Sequence, residues 1–279
     1  MSNQASSAAR EGPLLRVRAL SKRYHRRYGW RVRESEALAA VDLDVQPGAT
    51  MAIVGDSGAG KSTLARCIAR LDAPDAGEIW FQGADLAQLS GSALRAVRPQ
   101  VQLIFQDATT ALNPRFSAED LIAEPLLVQG WGNSKTRRER ACELMAEVGL
   151  PPERAGRRAG EFSGGQQQRL AIARALALQP RLLILDEALT GLDLSTEAQI
   201  ASLLLDLQQA HGLTYLLISH DIALVAHFAD EVAVMSGGRI VERGPVAEVI
   251  QNPQHAATQA MVSAARGLQQ ALVTAGGRP

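Results

Sequence analysis

The chain has 279 residues, enough for one α/β unit with lobes, since such folds often run to ~250 residues. Lys plus Arg number 29 and Asp plus Glu number 29, so a formal charge of zero argues against a global field drawing the protein to nucleic acid or to an anionic membrane. Cys67 and Cys142 lack CxxC spacing, which argues against a zinc site or disulfide framework and fits a reducing cytoplasm.

No apolar run approaches the ~20 residues needed to cross a bilayer. Residues 1–13 are Ser/Ala/Gln-rich without an apolar h-region and are expected to be disordered. Any membrane role must come through another subunit.

In chain order, Val41-Asp42-Leu43-Asp44-Val45 alternates with period two before Pro47-Gly48, which predicts antiparallel strands at the start of the fold. Met51 to Val54 is uninterrupted apolar sequence, the pattern of a strand covered on both faces. It runs into Gly55-Asp56-Ser57-Gly58-Ala59-Gly60-Lys61-Ser62, then a helix-like stretch from Thr63 to Leu71. This is a P-loop in the context the motif requires. Its glycines let backbone N–H groups curl round a phosphate, and the helix start adds roughly half a positive charge. Lys61 is expected to reach the β- and γ-phosphates, and the Ser62 hydroxyl to bind Mg²⁺. Residues Gly55 to Thr63 are thus the expected nucleotide-binding set. The competing reading, a glycine-rich turn that binds nothing, leaves Lys61-Ser62 in register after an apolar strand unexplained.

From about Asp107 to Ala177 the pattern is helix-like, interrupted by Pro114, Pro125 and Pro151-Pro152, and reads as a helical lobe inserted into the core. Within it Phe162-Ser163-Gly164-Gly165-Gln166 precedes a segment of good helix composition with Leu170, Ala173 and Ala177, a second anion-binding helix start. Leu182 to Leu185 is another apolar strand. Asp186-Glu187 follows at its carboxyl end, where α/β sheets place ligands. Asp186 is expected to hold Mg²⁺, largely through water, and Glu187 to polarise the attacking water. Ile200, Leu203, Leu204 and Leu207 form a helix stripe, and Leu213 to Ile218 repeats the apolar strand. Glu231 to Met235, Gly237-Gly238 and Arg239 to Glu242 read as a hairpin. The Ala/Gln-rich tail, ending Gly276-Gly277-Arg278-Pro279, is expected to fray.

Together these motifs resemble the ABC (ATP-binding cassette) ATPase family over roughly Leu14 to Thr258, with Phe162 to Gln166 similar to its LSGGQ signature and Phe162 departing at the first position. The resemblance implies a P-loop NTPase cassette of α/β class: a parallel-sheet core, an N-terminal antiparallel β part and a helical subdomain at about 107–177. The domain would span 14–258, leaving 259–279 as a tail. It implies hydrolysis of ATP with Mg²⁺, the signature of one subunit (Ser163, Gly164, Gly165, Gln166) closing over ATP held by its partner's P-loop. It further implies that Gln106, after the strand Val101 to Phe105, senses Mg²⁺ and water, that Asp193 of Gly191-Leu192-Asp193 lies in the D-loop, and that His220 contacts the γ-phosphate. Tyr24 would stack on adenine. Tyr28 and Trp30 remain rivals, because a basic insertion from His25 to Arg33 blurs the register; that run itself reads as a solvated surface.

A narrower similarity is to importers of peptides and nickel, carried by Phe105-Gln106-Asp107, Leu112-Asn113-Pro114-Arg115, Glu124-Pro125-Leu126, Gly212-Leu213-Thr214-Tyr215 and Ile240-Val241-Glu242-Arg243-Gly244. The sequence departs from it at Ala188, which stands where a proline commonly follows the catalytic glutamate, and at His255-Ala256-Ala257-Thr258 in place of HPYT. The implied function is to couple ATP hydrolysis to peptide uptake through a permease, with nickel or another chelated metal as the alternative cargo. The implied partners are a second ABC ATPase, identical or paralogous, the permease and, indirectly, a substrate-binding protein, at the cytoplasmic face of the membrane. The rival class is a soluble ABC ATPase acting on nucleic acid or ribosomes. One cassette, no long heptad coiled coil and no net positive charge count against it, so no nucleic-acid partner is expected.

Overall fold

The computed structural model describes residues 12–28, 31–105 and 111–275, with side chains described for 12–25, 34–105 and 111–267. Gln106, Trp30, the Tyr28 side chain and residues 1–11 of the expected disordered segment lie outside these.

Two sheets organise the chain. The first is antiparallel and holds β1 (Leu15–Tyr28), β2 (Arg31–Val45), β4 (Ala76–Phe81) and β5 (Ala84–Asp85) in the order β2-β1-β4-β5. The second holds β3 (Thr50–Val54), β6 (Val101–Ile104), β7 (Leu182–Asp186), β8 (Thr214–Ile218), β9 (Glu231–Ser236) and β10 (Arg239–Pro245) in the order β10-β9-β3-β8-β7-β6. All its pairings are parallel except that of β10 with β9. The fold is α/β, as the alternation of apolar strands and helical stripes predicts.

The uninterrupted apolar strands are explained by two cores, one on each face of the parallel sheet. Met51 and Ile53 of β3, Leu182 and Ile184 of β7, and Leu216 and Ile218 of β8 pack with Leu15, Val17, Leu43, Ile79 and Phe81 of the antiparallel sheet. Leu64 and Ile68 of α1 (Lys61–Ile68) belong to that same core. Their strand neighbours Ala52, Val54, Leu183, Leu185, Tyr215 and Leu217 face the opposite way, into a core shared with the helices. Successive side chains alternate faces, so a strand covered on both sides keeps its polar residues, Thr50, Asp186 and Thr214, to its ends. The Tyr215 hydroxyl resolves its own burial by donating to Leu204 O at 2.7 Å, on the helix that follows β7.

The chain leaves the antiparallel sheet through α2 (Gly91–Val97). Between β6 and β7 come α3 (Ala118–Val128), α4 (Ser134–Glu147) and α5 (Gly164–Leu176), with no strand among the described residues. Leu121, Ile122, Leu126, Leu144, Met145 and Leu170 bury together as their core. The N-termini are capped as the sequence requires: Ser117 accepts from Asp120 N–H, and Asn133 and Ser163 each form a capping box. The second half adds α6 (Leu194–His211), α7 (Ile222–Phe228) and α8 (Val246–Gln251).

The tail differs from its expectation. Rather than fraying after Thr258, the chain runs as α9 (Ala256–Ala275). The Glu242 carboxylate accepts N–H bonds from Gln254 at 2.8 Å and His255 at 2.9 Å just before it, while Thr258 and Val262 are buried. Met261 and Ala265 also pack on the core. High alanine propensity and one partly buried face suffice to extend the helix.

Candidate active site

The P-loop leaves β3 between β8 and β9, at the centre of the parallel sheet, and is wedged between other backbones. A Cβ at Gly55 (φ +147°) would lie 2.1 Å from Met235 O, and one at Gly60 (φ +104°) would lie 2.3 Å from Ala37 O. Gly58 also has positive φ, +81°. The β9–β10 turn fastens the loop from outside, Gly238 N–H donating to Ala59 O at 3.1 Å and Gly238 O accepting from Ala39 N–H at 2.9 Å. Gly60 supplies no side-chain cap to α1, so first-turn N–H groups of that helix are presented to a ligand. Lys61 folds back across the loop, its Nζ donating to Gly55 O at 2.7 Å and Asp56 O at 3.0 Å, with only 6 % of the residue exposed. Gly55→Ala is expected to displace the loop, because the atom it meets is backbone and cannot swing away. A shift of about 1 Å costs on the order of 10²-fold in rate, measurable as ATP hydrolysis; a wild-type rate would contradict the wedge.

The carboxylates arrive from β7. Asp186, its last residue, accepts the Ser62 Oγ–H at 2.9 Å. Burial pushes its carboxyl above the usual range; the Ser62 bond draws it back and the neighbouring Glu187 charge raises it further. Glu187 has φ +50°, a left-handed conformation that costs a side-chain-bearing residue about 1–3 kcal/mol. Its N–H is held by Ile218 O at 3.0 Å, which fixes its backbone beside the end of β8. There His220 Nδ1 stands 3.8 Å from Glu187 Oε1.

Lys61, Ser62, Thr63 and Glu187 share one cleft of about 920 Å³ with Ser57, Gly58 and Gly60 of the loop. Tyr24 also lines it, with His25, Ser35, Glu36 and Ala37. The β1–β2 register opposes Tyr24 to Ser35, and Arg23 pairs with Glu34 and Glu36 at 3.4 Å.

The signature residues stand elsewhere. Ser163 caps α5, its Oγ accepting from Gln166 N–H at 3.4 Å while its own N–H donates to Gln166 Oε1 at 3.1 Å. Asp193 caps α6 in the same manner, accepting from Thr196 N–H at 3.0 Å and Thr196 Oγ1–H at 2.7 Å. These bonds, the hydroxyl's first, hold its carboxyl below the usual range. The two helix starts touch: a Cβ at Gly165 would lie 2.4 Å from Thr196 Cγ2. Neither Ser163, Gly164, Gly165, Gln166 nor Asp193 lines the cleft. Phe162, the departure from LSGGQ, is buried in the helical core, where an aromatic substitutes for leucine without exposing apolar surface.

Comparison with known proteins identifies the family. The model of the family described as "ABC transporter" matches residues 38–190. The chain belongs to the ABC transporter family. It is 46% identical over 255 residues to a "Probable peptide ABC transporter ATP-binding protein" of Sinorhizobium fredii, covering 90% of this chain and 72% of that one. It is 43% identical over 259 residues to the dipeptide transport ATP-binding protein of Escherichia coli, covering 92% and 78%. Among solved structures, a dimeric ATP-binding cassette, MJ0796, in a post-hydrolysis state bound to ADP and Pi superposes with a TM-score of 0.73 at 30% identity, covering 83% of this chain and 98% of that one.

As an ATP-hydrolysing member of the ABC transporter family, the chain has cleft walls that sequence reasoning did not find. Glu36 and Ala37 come from β2 and Arg66 from α1. Arg66, four residues after Ser62 and so on the same face of the P-loop helix, could have been located from spacing. Glu36 and Ala37 reach the cleft only through the β1–β2 register, which the basic insertion obscures. No helix among the described residues is long and apolar enough to cross a membrane.

Proposed function

We propose that this chain is the ATP-hydrolysing subunit of a peptide importer, working with a second ABC ATPase beneath a permease at the cytoplasmic face of the membrane. The observation carrying the ATPase half is the convergence of Lys61, Ser62 and Glu187 on one cleft, with Asp186 bonded to Ser62 and His220 beside Glu187. The cargo half is supported by relatives named for peptide and dipeptide transport, which favours peptide over nickel.

In this reading the P-loop N–H groups and Lys61 hold the phosphate chain of ATP, and Tyr24 stacks on its base. The Ser62 hydroxyl and the buried Asp186 carboxylate, 2.9 Å apart, are hard oxygen donors of the kind Mg²⁺ prefers, and a cation there would offset the cost of ionising Asp186 in a buried site. Mg²⁺ bound at these groups would neutralise charge on the phosphate oxygens. Glu187 accepts the proton of the attacking water, and His220, 59% exposed, reaches toward the γ-phosphate. Since the Ser163–Gln166 helix start is outside the cleft, the signature is left to serve a second subunit, whose own signature would cover this ATP. Gln106 belongs to the same proposal as the link from nucleotide to permease.

Coupling is assigned to the face beside β6. A groove of about 450 Å³ there is lined by Phe105, Leu112, Pro125 and Arg174 among others, and Phe105 is 41% exposed. Arg115 is exposed close by in sequence, and Glu119 pairs with Arg138 at 3.3 Å. Arg115→Ala and Glu119→Ala, both away from the cleft, are expected to spare basal ATP hydrolysis and lower its stimulation by permease and loaded binding protein in a reconstituted complex. Full stimulation in both would remove the docking assignment. Peptide uptake into proteoliposomes tests the function itself: ATP-independent uptake, or no stimulation by any peptide-type permease, would overturn the importer reading.

A further inference from the structure

The loop after α1 touches Tyr24. Asp72 accepts the Tyr24 phenolic O–H at 2.6 Å, a short bond of the charge-assisted kind. Three residues on, Asp75 accepts the Arg23 N–H at 2.6 Å and the Lys22 ammonium at 3.1 Å, and its own N–H donates to Ser21 O at 2.9 Å. Strand β1 is therefore held by both backbone and side chain across residues 21–24. The loop is in turn fixed to the P-loop helix, since Leu71 and Asp72 N–H both donate to Arg66 O, at 2.9 and 3.2 Å. Lys22 Nζ stands over the Tyr24 ring, 5.6 Å from its centroid, a cation–π contact that leaves the other face for a second planar group.

We infer that Asp72 is a positioning residue for base recognition: it fixes the Tyr24 ring relative to α1, so that one rigid segment sets both where the phosphates bind and where the base stacks. The inference rests on the proposed role of Tyr24. Helix α1 is eight residues long, about 12 Å, the scale of an extended nucleoside triphosphate. Lys61 and Ser62 open the helix, and Asp72 follows its end. An aromatic platform gains most from stacking when its orientation is settled before the ligand arrives. Tyr24 lies beyond the last β1–β4 pair, Ser21 with Ala76, and is paired only with β2, so the sheet alone gives its ring no such constraint. Burial raises the Tyr24 phenol above its usual range, the Asp72 bond raises it further, and Thr63 draws it down.

Calorimetric titration of the full chain with ATP and, separately, with inorganic tripolyphosphate, which has no base, tests this. Asp72→Ala and Tyr24→Phe are each expected to weaken ATP binding by about threefold to tenfold and to leave tripolyphosphate binding at the wild-type value. The double variant should be no weaker than either single one, because both remove the same bond. Asp72→Asn, whose amide oxygen still accepts the phenolic proton, should bind ATP as the wild type does. Wild-type ATP affinity in Asp72→Ala, additive losses, or an equal loss for tripolyphosphate would overturn the inference. Tyr24→Ala separates the two layers. If it binds ATP normally, base stacking on Tyr24 falls and the role of Asp72 with it. If it binds ATP weakly while Asp72→Ala does not, only the role of Asp72 falls.

Discussion

Lys61→Ala is expected to reduce ATP turnover to background and to weaken ATP binding. The ammonium is almost fully buried and held by two loop carbonyls, Gly55 O and Asp56 O, so it is kept at the loop that receives the phosphates. Removing one preorganised donor costs roughly 10²–10³-fold where charge develops. Here a full positive charge is lost from a site that must stabilise the γ-phosphate, and the effect should exceed that range. The surrounding fold should survive, because the apolar cores on both faces of the sheet are built from other residues. The measurement is ATP hydrolysis by the purified protein with its partners, beside an ATP titration. Near-normal turnover would remove the P-loop assignment.

Glu187→Gln should separate binding from chemistry. The backbone at φ +50° and the N–H bond to Ile218 O do not depend on the carboxylate, and glutamine matches its shape, so the side chain stays beside Lys61 and Ser62. What the amide cannot do is accept the proton of water, and hydrolysis should slow by about 10²-fold or more. ATP should still bind, and a closed ATP-bound dimer should accumulate, visible by sizing the variant with and without ATP. Rapid hydrolysis would move the base role elsewhere. His220, 3.8 Å away, would be the first residue to test.

Much of this site is legible in the sequence because its requirements are local. A phosphate loop needs glycines where φ is positive and other backbones press close, as at Gly55 and Gly60, and a helix directly after. A strand covered on both faces must be apolar through its middle, which locates β3, β7 and β8 and places Asp186-Glu187 at a carboxyl end. Capping boxes announce helix starts, as Ser163 with Gln166 does. Each of these constraints acts within a few residues, so composition and spacing reveal it.

The remainder depends on contacts between distant segments, and only the tertiary structure decided it. Ser62 meets Asp186 across 124 residues because β3 and β7 both flank β8 in the sheet order. Tyr24 reaches the cleft because β1 packs beside β4 and the loop after α1 grips it; no local pattern distinguishes it from Tyr28. The tail became a helix because Val262 and its neighbours found a core surface, and alanine-rich sequence adopts whichever state burial selects. The signature helix start is as readable as the P-loop, yet its position outside the cleft is a matter of how the helical lobe sits on the sheet. Local sequence specifies which groups can bind phosphate, whereas long-range packing determines which of them can do so together.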